Sequence, residues 1–266
     1  MEPVVVRRGA GPLILSLPHV GTHLPPAVAD RLNDEGRVLR DTDWHVDALY
    51  EGLLPKVTVV AATHHRYVID LNRDPAGGSL YPGQTTTGLI PEATFDDVPI
   101  WQPGQEPAEA DRALWRERVH RPYHAALAAE IVRVRESLGV AILYDCHSIR
   151  SEIPWLFPGV LPDLNIGTDG GRTCAPALEE TVVAVARASG RSWVLNGRFR
   201  GGWTVRHHGR PSEGVHAIQM ELAQASHLAA ESPPFALDPE KAAALRPVLT
   251  GILSAIVALA PSLART

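Results

Sequence analysis

Two histidines, His19 and His147, each follow a short apolar run, and this placement suits the ligands of a divalent metal ion. A catalytic zinc takes three protein ligands and keeps one position open for water. A third ligand would therefore come from a nearby carboxylate or imidazole. The segment 41–47, Asp-Thr-Asp-Trp-His-Val-Asp, offers several, although an aspartate there could equally cap the helix that the segment opens.

Glu221 ends another apolar run, within Gln-Met-Glu-Leu at 219–222. A carboxylate at the end of a buried strand lies in a partly dry site, and this raises its pKa toward the range that suits a general base. The alternative is an ordinary strand-end glutamate that reaches solvent. We interpret Glu221 as a base beside the metal.

Arginines are clustered where they could bind an anionic ligand. Arginine holds carboxylates in a bidentate manner, so several arginines beside a metal predict a small substrate with more than one carboxylate. Surface salt bridging would account for at least one of them. The pair Gly201-Gly202 would let its segment approach a ligand closely. The candidates are Arg73, Arg150, Arg198, Arg200 and Arg206.

The remaining histidine pairs are weaker metal candidates. His120 and His124 have the i, i+4 spacing of a helical metal pair, but Pro122 lies between them and no glutamate follows His120. We interpret this pair as structural, with His124 as a candidate pocket residue. The sequence has no Gly-x-Ser-x-Gly elbow, Walker loop or Cys-x-x-Cys pair, so serine hydrolase, nucleotide-binding and zinc-ribbon functions have no support.

The elements that must position these side chains are short apolar strands separated by helices. Runs bounded by Gly or Pro predict strands buried on both faces. They lie at 13–17, 57–61, 140–144 and 215–220, with a further short run at 67–69. Helical patterns lie at 107–137, with a break or kink at Pro122, and at 175–189 and 239–259.

This alternation predicts an α/β fold with a largely parallel sheet. Ligands bind outside the carboxyl ends of the strands of such a sheet. We therefore expect His19, His147, Glu221 and the polar segment 70–74 to meet at one edge. The segment 74–106 is rich in Gly, Pro and Thr and lacks a helical period, which predicts a long loop near the site.

Composition limits the classes of function. The 266 residues allow one large α/β domain or two small ones, and 45% apolar with 21% charged residues is typical of a soluble protein. A net charge of −5 argues against a nucleic-acid partner. We expect no membrane partner, because no stretch reaches the roughly 18 apolar residues of a membrane helix. Two cysteines and no signal peptide predict the cytoplasm.

Six stretches together resemble the N-formylglutamate amidohydrolase family, over about residues 10 to 230. Three lie in the first third of the chain: Ser-Leu-Pro-His-Val-Gly-Thr-His-Leu-Pro at 16–25, Asp-Thr-Asp-Trp-His-Val-Asp at 41–47 and Val-Ile-Asp-Leu-Asn-Arg-Asp-Pro at 68–75. The others are Leu-Tyr-Asp-Cys-His-Ser-Ile-Arg-Ser at 143–151, Gly-Arg-Phe-Arg-Gly-Gly-Trp at 197–203 and Ile-Gln-Met-Glu-Leu at 218–222.

That family is similar to zinc carboxypeptidases and to aspartoacylase-type deacylases. The resemblance implies a phosphorylase/hydrolase-like three-layer sandwich with a central mixed β-sheet, formed by residues 1–266 as a single metal-dependent domain. It also implies release of formate and glutamate from N-formylglutamate in histidine breakdown. The rivals are a deacylase or carboxypeptidase for another acidic amide, and a binding protein that retains the pocket.

The resemblance also implies the metal ligands. The relatives carry His-x-x-Glu as the first metal motif, whereas Thr22 stands three residues after His19 here. We place the third ligand at Asp43, with His45 or Asp47 as the alternatives. One zinc per chain, or another divalent metal, would then activate a water for attack on the formyl carbon.

The same resemblance implies roles for other residues. Asp-Leu-Asn-Arg at 70–73 looks like the substrate-binding run of aspartoacylases, which puts Asn72 and Arg73 on a substrate carboxylate. Glu221 matches the general base that the relatives carry at a strand end. It would take a proton from the attacking water and pass it to the leaving nitrogen, while one arginine helps to stabilise the oxyanion.

Overall fold

One seven-stranded sheet forms the centre of the computed structural model, which describes residues 1–78 and 86–264. The strands are β1 Val4–Arg7, β2 Leu13–Leu17, β3 Thr58–Ala62, β4 Ala141–Ile149, β5 Leu164–Gly167, β6 Trp193–Leu195 and β7 Val215–Ala223. Their order in the sheet is β1-β3-β2-β4-β7-β5-β6. The four predicted long runs therefore form adjacent strands at the middle of the sheet.

The sheet is mixed. Strands β3, β2, β4 and β7 run parallel to one another, as predicted. Strand β1 pairs antiparallel with β3, strand β5 pairs antiparallel with β7, and β6 runs parallel to β5. The sequence analysis did not predict these three strands, because each has only three or four residues.

Helices cover both faces of the sheet. They are α1 Pro26–Ala29, α2 Asp34–Arg37, α3 Val46–Tyr50, α4 Glu109–Trp115, α5 Arg121–Leu138, α6 Pro176–Ala188, α7 Trp203–His208 and α8 Pro239–Leu263. The predicted interruption near Pro122 takes the form of a π-helical turn, Arg116–His120, that leads into α5. The expected α/β architecture with a mixed sheet between helices is confirmed.

Alternation along the central strands divides the core in two, because successive side chains of a strand point to opposite faces. On β4, Tyr144 and Cys146 belong to the core that α6 and α8 cover. Ala141 and Leu143 belong to the core that α5 covers. The fold therefore has three layers, with the sheet in the middle.

The run 67–69 was predicted as a strand, and that prediction is wrong. These residues form a buried turn in which the Val68 amide donates to the His65 carbonyl at 2.9 Å. The outer edge of β3 is already paired with β1, so the run has no strand edge to join. Two other strands are longer than predicted, since β4 continues to Ile149 and β7 to Ala223.

Helix α8 corrects the expectation that no stretch is long enough to span a membrane. The helix has 25 residues, and its most apolar 18-residue stretch has a mean hydropathy of 1.9, which suffices by length and composition alone. A core helix of a soluble protein passes the same test. One side of α8 packs into the core against α6 and the sheet, through residues such as Leu249, Ile252 and Ile256.

Candidate active site

The side of β4 that faces α5 changes from apolar to polar toward the carboxyl end of the strand. After Ala141 and Leu143, the next two side chains on this side are Asp145 and His147. Parallel pairing with β7 sets Asp145 beside Gln219 and His147 beside Glu221. All four are buried. The polar residues thus stand within the two central strands, not beyond their ends.

His19, Asp43 and His147 form a buried group that could hold a metal ion. One potential ligand atom from each lies within 4.8 Å of the other two. Asp43 Oδ2 is 3.2 Å from His147 Nδ1 and 3.7 Å from His19 Nδ1. Two imidazole nitrogens and a carboxylate oxygen therefore converge on one point, and this is a ligand set that leaves a catalytic position open.

Each imidazole is oriented by a second carboxylate on its other nitrogen. His19 Nε2 lies 2.8 Å from Asp70 Oδ1, and His147 Nε2 lies 2.8 Å from Asp145 Oδ2. Asp145 in turn accepts a hydrogen bond from the Ser16 hydroxyl at 2.6 Å. If each Nε2 carries the proton and donates it to its carboxylate, each Nδ1 is free to ligate a metal.

The group fits a cation on two grounds. His19 Nδ1 is buried and has no hydrogen-bond partner, so it has a lone pair that nothing else in the described structure uses. The surroundings are also anionic. Although burial opposes ionisation, hydrogen bonding with His147 and His19 lowers the pKa of Asp43. Arg66 and Arg73 lower the pKa of Asp70 in the same way, against burial. Both carboxylates are therefore charged at neutral pH.

The segment that carries Asp43 turns before it enters helix α3. The Asp43 amide donates to the His19 carbonyl at 3.1 Å, which ties the two candidate ligands together. His45 is the N-cap of α3, with a positive φ of 61°, and its Nε2 lies 2.9 Å from the Phe235 carbonyl oxygen. Asp47 is exposed. Of the three alternatives for the third ligand, only Asp43 lies within this group.

Glu221 is buried beside the group. Burial is the largest influence on its carboxyl and raises its pKa to about 8, against the opposing effect of His147. A cation nearby would lower that value. The carboxylate can therefore exchange a proton near neutral pH.

His19, His147 and Glu221 line one cavity, whose walls combine cationic, polar and aromatic side chains. Its polar lining includes His19, Arg66, Asn72, Arg73, His147, Arg198, Gln219 and Glu221. Its apolar lining includes Phe95, Ile149, Leu156 and Phe199. A small anion that enters this cavity would meet guanidinium groups and the His19–Asp43–His147 group together.

A family model described as N-formylglutamate amidohydrolase matches residues 11–228. The chain belongs to the N-formylglutamate amidohydrolase family. It is 44% identical over 259 residues to an N-formylglutamate deformylase of Pseudomonas aeruginosa, covering 97% of each chain. It is 45% identical over 253 residues to an N-formylglutamate deformylase of Pseudomonas putida, covering 94% of each.

A solved structure is similar as well. The crystal structure of an N-formylglutamate amidohydrolase from Ralstonia eutropha superposes with a TM-score of 0.79 at 28% identity, and the match covers 96% of this chain and 97% of that one. The resemblance to the N-formylglutamate amidohydrolase family that six short stretches predicted is thus confirmed along nearly the whole chain.

Within this family member, three of the predicted substrate-binding residues line the cavity: Asn72, Arg73 and Arg198. Arg73 is anchored by the long loop, since its Nε donates to the Thr87 carbonyl and its Nη2 to the Thr87 hydroxyl, both at 2.9 Å. The Nε of Arg198 donates to the Leu156 carbonyl at 3.0 Å. Both guanidinium groups are therefore held in place at the cavity wall.

The other three predicted substrate-binding arginines do not line this cavity. Arg150 Nη2 donates to Asp96 at 2.5 Å. Arg206 lies within α7, and its Nη2 is 3.2 Å from Asp169 Oδ1. The side chain of Arg200 is exposed. Local carboxylates contact Arg150 and Arg206, and Arg200 faces solvent, so a role of these three arginines in substrate binding stays a prediction.

The sequence analysis missed Arg66, which is 5% exposed and lines the cavity. Its Nη2 donates to Asp70 Oδ2 at 2.6 Å, and its guanidinium lies 4.8 Å from the centre of the Phe95 ring. Its Nε is buried without a hydrogen-bond partner. The only sequence signal is a spacing of four residues from Asp70, which is common in proteins.

The pair His120 and His124, at the start of α5, supports the site from behind and is not part of the metal group. His124 Nε2 lies 2.8 Å from the Leu71 carbonyl oxygen, and His120 Nε2 lies 3.0 Å from that of Arg73. Neither histidine is among the residues that line the cavity. The interpretation of the pair as structural agrees with this geometry, whereas His124 as a pocket residue does not.

The long segment 74–106 does approach the site, as predicted. Thr86, Thr87 and Phe95 line the cavity. The Phe95 amide donates to Asp41 Oδ2 at 3.1 Å, which fixes the aromatic ring near Arg66. Part of the predicted loop, residues 79–85, lies outside the described residues.

Proposed function

We propose that this chain hydrolyses N-formyl-L-glutamate to formate and L-glutamate. The observation that carries the proposal is the buried His19–Asp43–His147 group, whose two histidines line one cavity with Glu221 and with guanidinium groups. The names of the Pseudomonas relatives, at 44% and 45% identity over nearly the whole chain, support the same substrate.

We further propose zinc as the ion, with one per chain. Two imidazoles and one carboxylate are a known ligand set of catalytic zinc, and three protein ligands leave one position open. Bound there, zinc would lower the pKa of a water molecule and polarise the formyl carbonyl. The unpartnered His19 Nδ1 and the ionised Asp43 support this assignment.

The proton transfers fall to Glu221. Its raised pKa suits a group that accepts a proton from the attacking water and later delivers it to the amide nitrogen as the C–N bond breaks. Arg66 lies in the same cavity, and its buried Nε has no partner in the described structure. It can donate to the formyl oxygen as negative charge develops there.

The two carboxylates of the substrate require cationic or amide partners. Asn72 and Arg73 stand together on one segment, and Arg198 stands on another segment of the same cavity. Planar guanidinium groups bind carboxylates through paired hydrogen bonds. We assign one substrate carboxylate to Asn72 and Arg73 and the other to Arg198.

The cellular setting is also a proposal. The two cysteines, Cys146 and Cys174, are buried free thiols, which suits a reducing cytoplasm. Release of glutamate from its N-formyl derivative suits a role in histidine breakdown. Nothing in the acidic net charge of −5 favours a nucleic-acid partner.

The test is a hydrolysis assay that measures release of the free amino acid, by purified protein stripped of metal and then reloaded with zinc; formate is measured as well for the N-formyl substrates. We expect the highest kcat/KM with N-formylglutamate, and much lower values with N-acetylglutamate, N-succinylglutamate and N-formylglutamine. A higher kcat/KM for the acetyl or succinyl derivative would instead favour a deacylase for another acidic amide. No turnover of any of these by zinc-loaded protein would favour a binding protein.

Arg198→Ala tests the assignment of the substrate carboxylate. We expect a rise in KM of about 10-fold or more for N-formylglutamate, because a charge-assisted pair is lost. Arg187→Ala is the matched control, since Arg187 is an exposed arginine of α6 on the other side of the sheet. Equal KM values for the two variants would contradict the assignment.

A further inference from the structure

Gln219 is a buried amide beside the candidate base, and the proposed reaction does not yet use it. It lies two residues before Glu221 on the same face of β7, lines the same cavity and is 3% exposed. Its Oε1 accepts a hydrogen bond from the Gly202 amide at 2.7 Å. Its Nε2 donates to Glu221 Oε2 at 3.3 Å.

The two contacts determine which way the amide faces. A backbone N–H can only donate, so the atom of Gln219 that meets Gly202 must be the oxygen. The nitrogen then faces Glu221 and can only donate to it. The position therefore requires a side chain long enough to reach both partners, with one acceptor for Gly202 and one donor for Glu221. Glutamine provides both, whereas an ionised glutamate has no donor and methionine has no N–H or O–H donor.

Gly202 also packs against the substrate side of the cavity. A Cβ atom at this position would lie 2.2 Å from Asn72 Nδ2, so the close approach depends on glycine. Two residues further on, the Thr204 amide donates to Asn72 Oδ1 at 2.9 Å. The turn that leads into α7 therefore holds Asn72 on one side and Gln219 on the other.

We propose that Gln219 is a positioning residue for the general base: it holds one carboxylate oxygen of Glu221 and links that carboxylate to the Gly202 turn. The other oxygen remains available for proton transfer. The link also connects the base to Asn72, so the base and a substrate-binding residue share one support. This inference rests on the proposed hydrolysis.

A double-mutant cycle distinguishes a positioning role of Gln219 from a merely structural one. If Gln219 acts through Glu221, the effects of the two substitutions on kcat are coupled; if its role is only structural, they are additive. The variants are Gln219→Met, which keeps the approximate shape but removes donor and acceptor, Glu221→Gln, and the two combined. We expect Gln219→Met to lower kcat by about 10-fold or more while KM changes by less than about 3-fold. In the Glu221→Gln background the same change should have little further effect on kcat.

Asn165→Leu is the matched control. Asn165 is a buried amide on β5 whose Nδ2 donates to the backbone carbonyl of Glu221 at 3.1 Å, so it contacts the same residue without touching the carboxylate. Its effect on kcat should be equal in both backgrounds. A Gln219→Met effect that is equally additive would overturn the proposal. If Gln219→Met does not fold, Gln219→Asn retains a buried amide of shorter reach and serves the same cycle.

A crystal structure of Gln219→Met gives a readout that needs no activity. We expect the Glu221 carboxylate to rotate away from its wild-type position while Asp43 and His147 stay in place. An unmoved carboxylate would overturn the positioning role, whatever the substrate. Absence of formate release by the wild-type protein would instead count against the proposed function, so the two failures are distinguishable.

Discussion

At the scale of single residues, the candidate metal group depends on histidines that use both ring nitrogens. In His19 and His147 the Nε2 atoms contact Asp70 and Asp145, and the Nδ1 atoms face Asp43. Such an arrangement presets the orientation of each ring before a metal binds, because the carboxylate determines which nitrogen carries the proton.

Removal of the His147 imidazole should therefore abolish metal binding and activity together. We expect His147→Ala, and likewise His19→Ala, to hold less than one equivalent of zinc after dialysis, measured by elemental analysis. His45→Ala is the control, since its ring contacts the Phe235 carbonyl and not the group. Full zinc occupancy in His147→Ala would refute the ligand assignment.

Asp145 and Asp70 should affect metal affinity without abolishing it. Loss of a carboxylate that orients a ligand histidine typically lowers metal affinity by about 10- to 100-fold. We expect Asp145→Asn and Asp70→Asn to fall in that range in a competition titration with a zinc chelator. Asp163→Asn, at a surface contact with Ser192, should bind zinc like the wild type.

Glu221→Gln should separate proton transfer from metal binding. The amide keeps the shape of the side chain but cannot accept the proton, so turnover should fall by about 100-fold or more. Zinc content and substrate affinity should stay close to wild type, as measured by elemental analysis and calorimetry. Near wild-type turnover, or loss of the metal, would show that Glu221 is not the base.

At the scale of elements, the site depends on how closely the turn before α7 approaches its neighbours. Gly202 is buried against Asn72, and the adjacent Gly201 has a φ of 109°, a conformation that favours glycine. Helix α7 is held from behind by α5, where His124 Nδ1 lies 3.2 Å from His208 Nε2. A short helix of six residues thus depends on tertiary contacts for its place.

A pair of glycine substitutions tests this dependence. Gly202→Ala would place a Cβ 2.2 Å from Asn72, so we expect a loss of about 1–3 kcal/mol in unfolding free energy and a higher KM. Gly251→Ala lies within α8, where a Cβ meets Val185 at an ordinary 3.4 Å. It should be neutral or stabilise by up to about 1 kcal/mol. Urea unfolding of both variants provides the measurement.

At the scale of the whole molecule, buried histidines link stability to pH. Burial is the largest cause of a lowered pKa in seven of them: His64, His65, His120, His124, His208, His216 and His227. Burial raises the pKa of Asp41 to about 6 and that of Glu221 to about 8, which acts in the opposite sense. Although burial opposes it, Asp145 and Asp43 raise the pKa of the buried His147, which acts in that opposite sense as well. The seven histidines outnumber these three groups.

Stability should therefore fall as the pH drops below about 6.5, the ordinary pKa of histidine. Below that value the unfolded chain binds protons that the folded chain excludes until the pH approaches the lowered pKa values, about 4 for His64 and His227 and about 3 for His208. Urea unfolding from pH 5 to pH 8 checks this. A constant unfolding free energy between pH 5 and pH 7 would contradict it.

The sequence by itself determined the central strands, the family and most of the polar residues that the site collects. Apolar runs bounded by Gly or Pro identify β2, β3, β4 and β7, because strands buried on both faces need continuous apolar side chains. Three short strands, β1, β5 and β6, left no comparable pattern. The sequence also did not predict that β4 and β7 continue through polar residues. Buried polar side chains in a strand are stable only where other groups of the fold provide hydrogen-bond partners, and the sequence pattern does not show those partners.

Only the tertiary structure decided which polar residues meet. Of the candidates Asp43, His45 and Asp47, the fold places Asp43 at the metal group, because a turn brings the Asp43 amide to the His19 carbonyl. Arg66 was brought into the cavity and Arg150, Arg200 and Arg206 were not, although the sequence presents all four simply as arginines near polar motifs. The physical reason is that such contacts join residues far apart in the chain. They depend on loop conformation and on local ion pairs, which neither hydrophobic period nor residue spacing encodes.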